Sequence, residues 1–204
     1  MATYTWADLH IPQATMLADL SGISLDLQCA RELAELLLVE RAAEKPNWKL
    51  VEPFSIAITV MYSRPFQKGV RHRLGITDLA ILTADQRATH DYLWAYRNKH
   101  VAHSVNAFEE NVSRANYCLE RVKEEGITSI SYGGARITGL SVNDLKNVVE
   151  LSTVFGAHVD ALIAKEAERL LVIVRKIPLE EVLAGGRKAF VVDTQAAVSK
   201  DRKK

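Results

Sequence analysis

The 204 residues contain only two cysteines, Cys29 and Cys118. Both fall inside amphipathic patterns, so reduced thiols in a reducing cytoplasm are expected rather than a disulfide framework. Net charge is nearly absent as well, at +1 from 26 basic and 25 acidic residues. That excludes a whole-chain electrostatic pull toward nucleic acid and leaves room only for a local basic patch. No apolar run approaches the ~20 residues that span a bilayer, which excludes a helical membrane partner. The start, MATYTWADLH, lacks the basic-then-apolar order of a secretory signal. The expected location is cytoplasmic.

Several catalytic signatures are missing too. Gly133-Gly134 and Gly185-Gly186 lack the following lysine and the strand-turn-helix spacing of a phosphate loop. There is no GxSxG elbow, and neither cysteine has a histidine nearby in sequence. His90, His100 and His103, with Asp91 and Glu109 nearby, are the one grouping worth testing as a metal site. HExxH is absent, so these read as helix-surface histidines. Neither a metal nor a cofactor is expected.

What the sequence does have is a core. It is 48% hydrophobic and 25% charged, a balance typical of folded chains and unlike disordered ones. Leu17, Leu20, Leu27, Ala30, Leu33, Ala34, Leu37 and Leu38 recur at steps of three and four and predict a helix over 13–41. Ser21-Gly22 is a candidate break within it. A second helix is expected over 51–63, ended by Pro65. A third is expected over 84–103 and a fourth over 106–124, the latter on Phe108, Val112, Ala115, Leu119 and Val122.

The segment ITSISYGGARITGL flanks Gly133-Gly134 with β-branched residues, the pattern of a small hairpin near 127–140 with the glycines in its turn. Ser141, with Asp144 three residues on, predicts the N-cap of a long closing helix to about 176. The fold class is therefore all-α, a bundle of four to five helices with a β-hairpin insertion near 127–140. Residues 1–177 read as one helical domain, and 178–204, ending in SKDRKK, as a loosely ordered tail.

The chemistry concentrates in YRNKHVAHS, residues 96–104. Metal-free RNA cleavage needs a base for the 2′-hydroxyl proton, and histidine titrates in the right range. It also needs a fixed cation for the charge that builds on phosphate, which suits arginine's planar fork. Arg97 and His103 are those residue types, although their bare spacing is expected about once by chance among 14 arginines and 6 histidines.

Six residues of regular helix rotate by roughly 120° and rise about 9 Å, so the pair does not share one face. Arginine's reach, a helix end near Ala102, or the same motif from a second subunit would be needed, with His100 lying between. Lys68, Arg71 and Arg73 form a basic loop that could lead RNA phosphates toward the motif, or could simply be solvated. Tyr92 and Trp94 beside the motif could stack on bases or fill the core.

The run Arg97-Asn98-Lys99-His100-Val101-Ala102-His103 has a polar residue directly after the arginine and a small apolar one directly before the histidine. In this it resembles the signature of the HEPN (higher eukaryotes and prokaryotes nucleotide-binding) superfamily, and most of all its abortive-infection AbiU-type branch. The upstream YSRPF, Tyr62 to Phe66, and the long helix after the motif are similar as well.

The resemblance implies a helical bundle and a homodimer formed through the motif-bearing helices. It also implies a metal-independent endoribonuclease of the toxin or phage-defence kind, with RNA as substrate and an antitoxin among its partners. By position it makes Arg97 and His103 catalytic and Asn98 the residue that orients them. His100 is not part of that pattern; its place between the two makes it, with Lys99 and Ser104, a supporting residue. Some members of the superfamily act instead as non-catalytic interaction or RNA-binding modules.

Overall fold

The computed structural model describes residues 7–101, 109–136 and 139–184. The chain is mostly helical with one two-stranded antiparallel sheet. Helix α1 (Thr15–Ala42) and helix α5 (Val142–Val174) form the long axis of the molecule and run antiparallel. Three tethers along their length show this. Arg169 donates to the Gln13 carbonyl at 3.1 Å, Ser24 donates to Asp160 at 3.5 Å, and Arg41 donates to the Leu140 carbonyl at 2.7 Å.

Helix α2 (Val51–Ser63) packs on α1, and helix α3 (Ala84–Tyr96) closes the bundle. Ile23, Leu27, Ala30, Ala34 and Leu37 of α1 meet Ile58 and Tyr62 of α2, with Leu145, Val148, Leu151, Phe155 and Val159 of α5. Those α5 positions step by three and four, so one stripe is buried and the rest of the long helix faces solvent.

Two helix starts follow directly from local chemistry. Ser141 accepts from the Asp144 amide at 3.1 Å while the Asp144 carboxylate accepts from the Ser141 amide at 2.9 Å, a reciprocal capping box. Thr83 and Gln86 form the same arrangement at the head of α3. The chain reaches α5 through Gly139, whose φ of +91° suits glycine and whose missing side chain leaves room for Val51 and Ser55. The Ser55 hydroxyl then accepts from the Leu140 amide at 2.9 Å.

Helix α1 is continuous through Ser21-Gly22 rather than broken there. At Gly22 a Cβ would come within 3.2 Å of the Arg71 guanidinium lying across it, so the arginine would have to shift by a few tenths of an ångström. Pro65 does not halt the chain after α2, because Arg64–Phe66 continues as a 3-10 turn, in which proline at an early position loses no bond. Regular α-helix α3 stops at Tyr96, and Arg97–Val101 widens into a π-helical turn; the rest of the helix expected to 103 lies outside the described residues.

The largest correction concerns 106–140. Glu109–Tyr117 is a strand, β1, and Ile127–Arg136 is a strand, β2, paired antiparallel with it. The fourth helix expected over 106–124 survives only as a 3-10 turn, Leu119–Arg121, and one helical turn, α4 (Val122–Glu125). No hairpin turns at Gly133-Gly134. Those glycines lie inside β2, opposite Val112 and Asn111. Their role is clearance, since a Cβ at 133 would collide with the Arg114 guanidinium and one at 134 with the Glu110 carbonyl. Past Pro178, Leu179–Ala184 forms a short helix, α6, and residues 185–204 lie outside the described residues.

Candidate functional site

Arg97 opens the π-helical turn at the end of α3, a helix whose Leu93 and Tyr96 are buried. The turn contains neither proline nor glycine, so no backbone breaker explains its widening. Such π turns often sit at functional positions. Arg97 and Asn98 are both half-buried there, and Nη1 of Arg97 donates to Oδ1 of Asn98 at 3.0 Å.

A second acceptor comes from the segment after α2. A guanidinium presents only donors, so the Gln67 amide faces it oxygen first. In that orientation the Gln67 oxygen accepts from Nε and Nη2 of Arg97 at 2.8 Å each, and from Nη1 at 3.2 Å. The arginine fork is thus held between its chain neighbour and a residue 30 positions upstream.

Beneath the turn lies an aromatic cluster. Tyr62, Phe66 and Phe155 surround His90 and Trp94 stands edge-on to Phe66, with the Phe66 ring centroid 4.6 Å from that of His90 and 4.9 Å from that of Phe155. The Tyr62 and Phe66 of YSRPF are therefore core residues joining α2 to α3 and α5. His90 is buried, and its Nδ1 lies 2.8 Å from the Tyr62 hydroxyl. Burial lowers its pKa to about 4 and outweighs the opposing pull of Asp91. The neutral ring then accepts from Tyr62, whose own pKa burial raises. Tyr96, also buried, is raised to about 12 chiefly by the same cause. Trp94 packs against the core, while Tyr92 is exposed beside it.

No family model matches the chain, and no curated protein or solved structure matches it. The geometry alone has to carry the functional reading.

The expected site residues divide accordingly. Arg97 and Asn98 are brought together, and Lys99 is exposed on the same turn. His100 lies on the turn, but its side chain is outside what is described, as are His103 and Ser104 entirely. Of the basic loop, Lys68 and Arg73 are exposed. Arg71 is committed elsewhere, with Nη2 2.6 Å from Oδ2 of the buried Asp26, whose other oxygen pairs with Arg64 at 3.1 Å.

His72 donates its backbone amide to Asp19 at 2.8 Å, so two acids of α1 pin this loop. Among the described residues no group of three or more histidines, cysteines and acids could hold a metal ion, and no helix is long and apolar enough to cross a membrane. A small recess of about 120 Å³ between α1 and α5, lined by Ser24, Gln28, Arg31, Ser152 and Asp160, contains none of the motif residues.

Sequence reasoning missed Gln67 and Asp26. An isolated amide just past a helix stop carries no periodicity or motif signal. Asp26 carried no signal either, because an acid in an apolar stripe has no visible partner until the loop folds back over it.

Proposed function

We propose that the protein is a metal-independent endoribonuclease of HEPN type. The observation that carries this reading is the Arg97 guanidinium, held in a π-helical turn by Asn98 and Gln67. A cation oriented before substrate arrives needs little reorganisation when charge develops on a phosphate. The Gln67 oxygen occupies the kind of acceptor position that a phosphate oxygen takes on an arginine fork, and RNA would displace it.

In the proposed reaction His103 takes the 2′-hydroxyl proton and the 2′-oxygen attacks the adjacent phosphorus. Arg97 stabilises the crowded phosphorane-like state, and the P–O5′ bond breaks with the 5′-oxygen taking a proton from solvent water. The products are a 2′,3′-cyclic phosphate end and a 5′-hydroxyl end. Six residues of a regular helix would not bring an arginine and a histidine to one face, so the site is proposed to be completed by a second copy of the motif.

One observation favours the alternative, a non-catalytic dimeric interaction or RNA-binding module. Every nitrogen of the Arg97 guanidinium already has an acceptor within the chain. RNA cleavage in chelator by wild type and His103→Ala, with analysis of the product ends, separates the two. Metal-free, His103-dependent cleavage supports the nuclease, and absence of cleavage on any RNA leaves the module.

A further inference from the structure

The two-stranded ribbon is an isolated piece of structure. Among the described residues no helix makes more than marginal contact with β1 or β2. Its side chains are correspondingly bare: Tyr132 is 93% exposed, Ile130 70% and Tyr117 55%. A ribbon of two strands without a third strand or a covering helix is marginal in water. Among the described residues each strand has one edge without a strand partner, and neither β1 nor β2 contains the lysine or proline that commonly protects one.

The charges identify what pairs with that edge. On β1, Glu110, Val112 and Arg114 share one face, since alternate residues point the same way. A second copy can align antiparallel along the outer edge of β1 with a two-fold axis through Val112. Glu110 then faces Arg114 of the other copy, and Arg114 faces its Glu110.

Moving the axis to residue 110 or 114 sets like charges opposite each other, and axes at 111 and 113 leave both charges without opposite-charge partners. β2 contains no carboxylate, so its edge offers no such match. Both Glu110 and Arg114 are exposed; the Arg114 guanidinium lies over Gly133 of β2 in the single chain and turns to the outer edge on pairing.

The geometry points to β1 as a self-recognition edge. Two copies of the chain pair β1 to β1 across Val112, forming a four-stranded sheet fixed in register by two reciprocal Glu110–Arg114 contacts. This pairing stands apart from the nuclease reading and requires neither Arg97 nor His103. Strands of this length bury less than the about 1,200 Å² of a typical stable interface, so the dimer exchanges with monomer in the micromolar range.

The test is a charge exchange on the full-length chain, read by sedimentation velocity from about 1 to 200 µM. Wild type shows a concentration-dependent dimer. Arg114→Glu alone and Glu110→Arg alone each weaken it about tenfold or more, because both contacts turn repulsive. Mixing the two variants restores dimer, since each acid again faces an arginine, and so does the double variant Glu110→Arg/Arg114→Glu. That restoration also shows that the single variants are folded. A wild type that stays monomeric throughout, single variants that dimerise like wild type, or a mixture that fails to recover would each overturn the proposal and leave the edge to a different partner.

Discussion

The Tyr62 hydroxyl lies 2.8 Å from Nδ1 of His90, inside a cluster of aromatic rings shared by α2, α3 and α5. With the His90 pKa lowered to about 4 by burial, the folded protein holds this ring neutral while the unfolded chain protonates it below about 6.5. Between those values the unfolded state binds the extra proton, so stability falls as pH drops, by at most about 3 kcal/mol, and this contribution levels off below about pH 4. Urea midpoints at several pH values check this. Tyr62→Phe alone costs about 1–3 kcal/mol at pH 7 by leaving His90 unpaired. Tyr62→Phe with His90→Phe loses the extra acid sensitivity, and an unchanged slope in that double variant would exclude His90 as its source.

Arg71 is expected to act on stability. Its guanidinium reaches the buried Asp26 at 2.6 Å and crosses α1 at Gly22. Arg71→Ala should lower unfolding free energy by about 2–4 kcal/mol, because Asp26 keeps only the more exposed Arg64. Lys68→Ala and Arg73→Ala, on exposed positions, should change stability by less than about 0.5 kcal/mol. Chemical denaturation of the three variants distinguishes a structural arginine from solvated ones.

Gly139 joins the ribbon to α5 at a φ of +91°, and a Cβ there would come within 2.6 Å of Val51. Gly139→Ala combines backbone strain with overpacking and should cost about 2–4 kcal/mol. A thermal midpoint equal to wild type would contradict this account of how α5 is joined to α2.

Gln67 tests the site more gently. Gln67→Glu replaces a neutral acceptor of Arg97 with a charged one, which binds the guanidinium more tightly and repels phosphate. RNA cleavage, or RNA binding if no cleavage occurs, should fall about tenfold while stability is kept or slightly raised. Equal activity in this variant would mean that Gln67 does not compete with substrate for Arg97.

The helical part of the fold was largely legible because its signals are local. The extent of α2 follows from its burial stripe, and the start of α5 from the Ser141–Asp144 capping box. Of the ribbon, the β-branched run at 127–136 was legible as a strand of a small two-stranded sheet, but its partner strand and its turn were not, for a physical reason. Val112, Ala115, Leu119 and Val122 step at helical intervals, yet the long-range pairing of Glu109–Tyr117 with Ile127–Arg136 overrides that pattern. Of the glycine pair that suggested a turn, Gly133 instead gives clearance to the cross-strand Arg114 and Gly134 to the Glu110 backbone. At the site, Arg97 and Asn98 could be picked out by residue type, but not the widened turn that presents them or the amide that holds them. Both depend on where α2 ends relative to α3, which no single stretch of sequence encodes.

The central claim is tested most directly by RNA cleavage in excess chelator, comparing wild type, Arg97→Ala and His103→Ala with identification of the product ends. The account predicts 2′,3′-cyclic phosphate and 5′-hydroxyl ends from wild type, and a loss of about 10²-fold or more in each variant. Cleavage by His103→Ala at the wild-type rate would contradict it.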